Sequence, residues 1–252
     1  MEKPIVTMKR VEMKYIMSPE QTAFLKDALN GHMKVDRYGL TSIASLYYDT
    51  PDYRLIRTSI EKPMFKEKIR LRSYGLATES SKVFLELKRK FDGTVYKRRV
   101  PTTIPDVERF FQKEGDLCAD GQIAREISYF RDFYGLLVPA CLIIYDRLAY
   151  FEENGSLRLT IDQNPRYRID DLNLTTSMEG ELLLEEGFCI LEVKVQEAMP
   201  LWLSHILDEG KIRKTTFSKY GTAYTRQAHA LLQAERNPSQ WNSSKPSSAL
   251  RA

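Results

Sequence analysis

Seven segments of this chain place long ionised side chains on every second residue, and that alternation limits what the chain can fold into. KIRLRSYG, residues 68–75, carries Lys68, Arg70 and Arg72 between Ile69 and Leu71. Successive side chains of a strand point to opposite faces, so one face here is aliphatic and the other densely cationic. The habit recurs. RVEMKY presents Arg10, Glu12 and Lys14, and VFLELKRK presents Glu86, Lys88 and Lys90. VYKRRV presents Lys97 and Arg99, and IIYDRL presents Tyr145 and Arg147. LRLTID presents Arg158, Thr160 and Asp162, and CILEVKV presents Glu192 and Lys194. For any one strand, a solvated outer face is the ordinary reading. Taken together the faces are rich in Arg and poor in Ser, Gln and Asn. If helices cover the aliphatic faces from outside, the charged faces turn inward on a lumen.

The rest of the pattern supplies those helices. Ser18-Pro19-Glu20 is a helix start running to about Leu29, and Asn30-Gly31 stops it. Residues 105–113, 122–134 and 200–209 have apolar residues at helical spacing, and 218–234 forms a C-terminal helix. Strands are expected at 8–16, 41–48, 66–74, 82–90, 94–100, 140–151, 156–162 and 187–195. Asp92-Gly93 is a hairpin turn, and Glu153-Asn154-Gly155 joins another pair. The expected fold class is α+β, with ~8 mostly antiparallel strands in a sandwich or closed barrel. One domain spans 1–235. The Ser-, Asn- and Pro-rich tail, 236–252, reads as disordered.

Composition excludes several classes. A net charge of +4 with 29% charged residues is too balanced for an undirected nucleic-acid surface, and 42% hydrophobic residues suffice for a real core. Cys118, Cys141 and Cys189 lie far apart without metal spacing, and the last two read as small core residues. No signal-peptide core opens the chain, and the longest apolar run, 135–145, is too short for a bilayer. A soluble cytoplasmic protein is expected, with no direct membrane insertion. Any membrane association would need a partner protein. The oligomeric state is not legible.

A lumen lined with cations needs an anion of high charge density, because like charges a few ångströms apart repel by several kcal/mol at an effective dielectric of about 20. Arg forks match phosphate oxygens and Lys supplies point charges. Glu192, with Glu12 or Glu86, offers hard oxygen ligands for Mg²⁺ or Mn²⁺; for Glu12 and Glu86, pairing with lumen cations is an equal alternative. The inferred ligand is a polyphosphate or a nucleoside triphosphate. No P-loop, GxGxxG, kinase set or nucleophile–histidine arrangement appears.

In chain order, RVEMKY, SLYYDT, KIRLRSYG, VFLELKRK, YKRR, YDR, RLTID, ILEVK and FSKY resemble the catalytic domain of the vacuolar transporter chaperone (VTC) proteins. These are polyphosphate polymerases of the triphosphate tunnel metalloenzyme, or CYTH-like, superfamily, and the resemblance spans roughly residues 9–220. It implies a closed antiparallel tunnel of eight strands with helices packed outside. It implies transfer of the γ-phosphate of ATP to a growing inorganic polyphosphate chain, with release of ADP. By motif, Lys14, Arg70, Arg72, Lys88, Lys97, Arg147, Arg158 and Lys219 would bind phosphates, with Arg99 a weaker match. Tyr145 and Ser218 would donate hydrogen bonds to phosphate oxygens, and Glu192 would hold the metal. Arg10, Lys90 and Lys194 join the phosphate-binding set from their strand faces, whereas no matched motif requires Lys68. Asp49 is expected to form a turn, and Asp146, opposite in phase to Tyr145 and Arg147, to be structural.

Two departures bear on the reading. The superfamily's ExExK begins here with Arg10, which disfavours two-metal hydrolysis. Thr216 and Ser59 stand where eukaryotic polymerases are basic. With no regulatory domain or transmembrane segment expected, translocation and its control would need other proteins. The alternatives are a triphosphatase acting on inorganic triphosphate or nucleotides, and a non-catalytic polyphosphate-binding module.

Overall fold

The computed structural model describes residues 11–92, 94–117, 121–153, 155, 157–196 and 198–236. Arg10, Cys118, Gly93, Asn154 and the tail from residue 237 lie outside them. The charged segments do form strands: β1 (Val11–Met17), β4 (Phe65–Tyr74), β5 (Val83–Phe91), β6 (Thr94–Thr102), β7 (Val138–Phe151), β8 (Arg158–Arg168) and β10 (Cys189–Val195). β3 (Thr41–Asp49) and the two-residue strands β2 (Lys34–Val35), β9 (Glu181–Leu182) and β11 (Lys214–Thr215) complete one eleven-stranded sheet. All pairings are antiparallel, and the main path runs β11-β1-β10-β8-β7-β3-β4-β5-β6.

This departs from the eight-stranded closed barrel expected from the sequence. Among the described residues no strand pairing joins β6 to β1 or β11. β1 already has neighbours on both sides, β10 and the short β11. β6 ends the path as a free edge that carries Lys97, Arg98 and Arg99, and charge on an edge discourages further pairing. The sheet nevertheless curls strongly. Lys88 Nζ on β5 lies 3.8 Å from Glu12 Oε2 on β1. Six strand steps in a flat sheet would separate those strands by about 29 Å. Side chains, not backbone ladders, span the gap.

The aliphatic faces are covered as expected. Ile69, Leu71, Leu85 and Leu87 pack with Val107, Phe110 and Phe111 of α3 (Ile104–Gln112) and Ile127 and Phe130 of α4 (Gln122–Tyr134). Tyr15, Met17, Leu159, Ile161, Leu191 and Val193 pack with Leu25 of α1 (Pro19–Ala28) and Leu203 and Leu207 of α5 (Leu201–Glu209). Ser18 starts α1 with a full capping box: Gln21 N–H donates to its hydroxyl (3.2 Å) while its own N–H donates to Gln21 Oε1 (3.1 Å). Cys141 and Cys189 are buried free thiols.

The placement of helices wholly outside is corrected by a third cluster. Ile43, Ile143 and Tyr145 are in phase with the charged positions, and they pack against Ile56 of α2 (Arg54–Ile60) and Tyr220 and Ala223 of α6 (Lys219–Arg236). Two helices therefore lie on the charged side of the sheet, against β3 and β7. Asp49, at the end of β3, fastens both. Its buried carboxylate accepts from Leu55 N (2.8 Å), Ile56 N (3.0 Å) and Tyr220 Oη (2.9 Å). Tyr53 makes no side-chain cap, so Asp49 and its neighbour Thr50, whose Oγ1 accepts from Arg54 N (2.9 Å), supply the acceptors for the α2 N-terminus. Among the described residues no helix is long and apolar enough to cross a membrane.

Candidate functional site

Register decides what the charged side chains meet. Across β4, β5 and β6, Lys68 stands opposite Lys88, and Lys88 opposite Lys97. The adjacent row on the same face is Tyr47, Arg70, Glu86 and Arg99. Like charges directly opposite on neighbouring strands are destabilising, so the lysine row needs counter-charge.

Glu86 supplies part of it. It is 1% exposed, and its carboxylate lies 2.8 Å from Arg70 Nη2, 2.7 Å from Lys97 Nζ, 3.6 Å from Arg99 Nε and 3.7 Å from Arg72 Nε. Burial opposes its ionisation, but Arg70, Arg72 and Lys97 outweigh burial and pull its pKa down to about 2. Tyrosine hydroxyls hold the other ends of both arginines. Arg70 Nη1 donates to Tyr47 Oη (2.9 Å), and Arg72 Nη2 donates to Tyr145 Oη (3.0 Å). Both tyrosines act as acceptors in these bonds, so neither bond uses the hydroxyl hydrogen.

A second cluster lies on β1, β7, β8, β10 and the start of α6. Arg147 grips Asp162 in two-pronged fashion, Nε to Oδ1 at 2.6 Å and Nη2 to Oδ2 at 2.8 Å. Lys219 Nζ donates to the same carboxylate at 2.5 Å. Glu192 sits 3.4 Å from Lys14, 3.4 Å from Lys194, 3.6 Å from Arg147 and 4.0 Å from Lys219. Burial again opposes ionisation, yet the ring of cations led by Lys219 and Lys14 holds Glu192 well below the usual carboxylate range. Asp162 is lowered by Lys219 and Arg147 in the same way, against its burial.

The segment before α6 ties the two halves together. Lys14 Nζ donates to Phe217 O at 3.1 Å, and Lys68 Nζ to Ser218 Oγ at 3.3 Å. Ser218 Oγ also accepts from Gly221 N (3.2 Å), which caps α6 and turns Lys219 into the groove.

The sequence model of the VTC domain matches residues 9–227. This chain belongs to the VTC domain family. Among curated proteins none matches the sequence. The fold is similar to that of an adenylyl cyclase candidate from Hippeastrum, described as having a dominant triphosphatase activity. That similarity has a TM-score of 0.55 at 18% identity and covers 86% of this chain and 95% of that one. An adenylate cyclase candidate from Bacillus halodurans is similar at TM-score 0.51 and 14% identity, covering 84% of this chain and 96% of that one. At such identities the likeness concerns the fold.

Within this VTC domain, the structure brings together most of the residues singled out in the sequence. Lys14, Arg70, Arg72, Lys88, Lys97, Tyr145, Arg147, Lys194, Ser218 and Lys219 all reach one of the two clusters or the segment between them. Arg99 reaches the rim, where it lies 3.6 Å over the Phe84 ring and donates to Tyr74 Oη (3.1 Å). Arg158 and Lys90 are exposed and make no ion pair among the described residues; Arg158 faces Lys194 across the ladder, and Lys90 faces Lys66. Asp146 turns away from the groove to Arg166 (3.0 Å) and Ser42 (2.6 Å). Three participants were not assigned from sequence, Asp162, Tyr47 and Lys68. The two-residue period already put Asp162 on the charged face, but nothing local announces that it orients Arg147 and Lys219.

The expected metal ligands do not form one set. Among the described residues no three Asp, Glu, His or Cys side chains are grouped to hold a metal. Glu86 does not fit: its oxygens face Arg70, Arg72, Lys97 and Arg99, so it is a counter-ion. Glu192 fits better. Its four cations, at 3.4 to 4.0 Å, begin farther off than those of Glu86, and they hold its pKa well below the usual carboxylate range. Glu12 is its diagonal neighbour on β1, with Lys14 within 4 Å of both. Two carboxylates suit a hard divalent cation that takes its remaining oxygens from phosphates.

Proposed function

We propose that this chain is a metal-dependent polyphosphate polymerase that transfers the γ-phosphate of ATP to a growing inorganic polyphosphate chain and releases ADP. One observation carries the reading. Lys68, Lys88 and Lys97 stand in register beside the Arg70–Arg72 cluster, so cations extend across three strands and face the Arg147–Lys219 cluster beyond. Such a spread suits a chain of phosphates better than a single one. Membership of the VTC domain family supports it. The curled sheet would be the tunnel wall, with side chains and residues 216–218 spanning the gap that strand pairing leaves.

In this reading Arg70, Arg72, Lys88 and Lys97 hold phosphate oxygens along the chain, and Tyr145 and Ser218 donate to them. Arg147 and Lys219, oriented by Asp162, stabilise charge on the transferring phosphoryl group as its bond to ADP breaks and its bond to the polyphosphate oxygen forms. Glu192 and Glu12 would hold Mn²⁺ or Mg²⁺, which when bound neutralises phosphate charge. No protein nucleophile is required, since positioning and charge stabilisation do most of the work in phosphoryl transfer. The second reading is a triphosphatase, the activity described for the Hippeastrum protein. Purified chain incubated with ATP and Mn²⁺ separates them. Long-chain polyphosphate with stoichiometric ADP is the expected product. Orthophosphate alone would transfer the assignment to triphosphatase, and polyphosphate binding without turnover would leave a binding module.

A further inference from the structure

Lys68 differs from its two partners in the lysine row. Lys88 has Glu12 at 3.8 Å, and Lys97 has Glu86 at 2.7 Å. Lys68 makes no ion pair among the described residues; its amine donates to Ser218 Oγ (3.3 Å) and lies 5.8 Å from the Tyr220 ring centre. The groups that act on it most strongly are Tyr47 on β3, Lys66 on its own strand, Lys88 on β5 and Lys14 on β1, and Tyr220 is the titratable side chain that α6 places beside it. All but the two tyrosines are cations. A like-charged row with one member lacking a counter-ion is the arrangement expected where the missing anion is the ligand.

We propose that Lys68 binds a phosphate group of the groove's substrate, between Lys88 and the Ser218 hydroxyl, and that loss of its proton weakens binding in mild alkali. Enclosure by the groove, reinforced by Lys66, Lys88 and Lys14 and opposed by Tyr47, pushes its pKa down to about 8. A bound phosphate raises it again, so affinity is complete below about pH 8 and declines as pH rises through the free amine's pKa.

The inference rests on the phosphate-binding reading of the groove. It is tested with the full chain and inorganic tripolyphosphate, by calorimetric titration from pH 6.5 to 9.5. Wild-type affinity is expected to fall steeply above pH 8. Lys68→Met is expected to bind about tenfold more weakly at pH 7, the scale of one charged hydrogen bond, and to lose most of that fall. Lys68→Arg is expected to keep wild-type affinity at pH 7 and to lose most of the fall, because arginine does not titrate there, leaving only the part due to Lys88 and Lys97, whose amine pKa values burial also lowers. The probe's own titration is common to all three proteins. A wild-type pH profile in Lys68→Arg, or wild-type affinity in Lys68→Met, overturns the role of Lys68 while leaving the groove reading intact. Folded wild-type protein that binds no tripolyphosphate at any pH overturns the groove reading and this inference with it.

Discussion

Glu86→Gln tests whether the buried carboxylate of β5 is a counter-ion or a metal ligand. Its pKa lies at about 2 against an ordinary 4.5. The difference of about 2.5 units, at 1.36 kcal/mol each, corresponds to about 3 kcal/mol of folding stability. Hydration of Lys97, whose side chain is 44% exposed, reduces this to about 2–3 kcal/mol. The sign follows from the depressed pKa: the stabilisation is present above about pH 4.5 and is lost as pH falls toward about 2. Glutamine keeps the shape and removes the charge, so Arg70, Arg72, Lys97 and Arg99 then face one another without a counter-ion. Urea unfolding at pH 7 should show Glu86→Gln less stable by about 2–3 kcal/mol at unchanged m-value. The gap should narrow below pH 4 as wild type loses the same charge. Tripolyphosphate should stabilise the variant more than wild type, because the ligand replaces the missing negative charge. A loss below about 0.5 kcal/mol at pH 7, together with abolished metal dependence, would refute the counter-ion account and restore the metal-ligand one.

Two further perturbations probe the rest of the groove. Asp162→Asn leaves Arg147 and Lys219 buried without their shared carboxylate and should cost about 3–5 kcal/mol in a denaturant melt; near-wild-type stability would mean that Glu192 alone suffices for both cations. Tyr220→Phe removes one of the donors to buried Asp49 and should cost about 1–2 kcal/mol in urea midpoint measurements, with loosening confined to α2 and α6 in hydrogen exchange.

The alternation of charge in KIRLRSYG and its counterparts was legible because a strand's period of two is a local property. It predicted the strands, the aliphatic faces under α1, α3, α4 and α5, and most of the residues that meet in the groove. Helix α2 escaped because its amides are capped by Asp49, several residues upstream and at the end of a different element. The open edge escaped because sheet closure depends on which strands find partners, and β1 uses its second edge for two residues that lie some two hundred positions away.

What the sequence determined by itself is the two-faced character of each strand and the sign of the charge on the inner face, since both follow from residue order and backbone geometry. Only the tertiary structure decided how those charges are paired. Lys68, Lys88 and Lys97 are equivalent in sequence phase, yet curling and register give Lys88 a carboxylate from β1, Lys97 one from β5, and Lys68 only a serine hydroxyl. Glu86 and Glu192 look alike on their strands, yet one is enclosed by the guanidinium groups of β4 and the other lies beside a second carboxylate on β1. Electrostatic roles depend on distance across space, and those distances exist only once the sheet has curled.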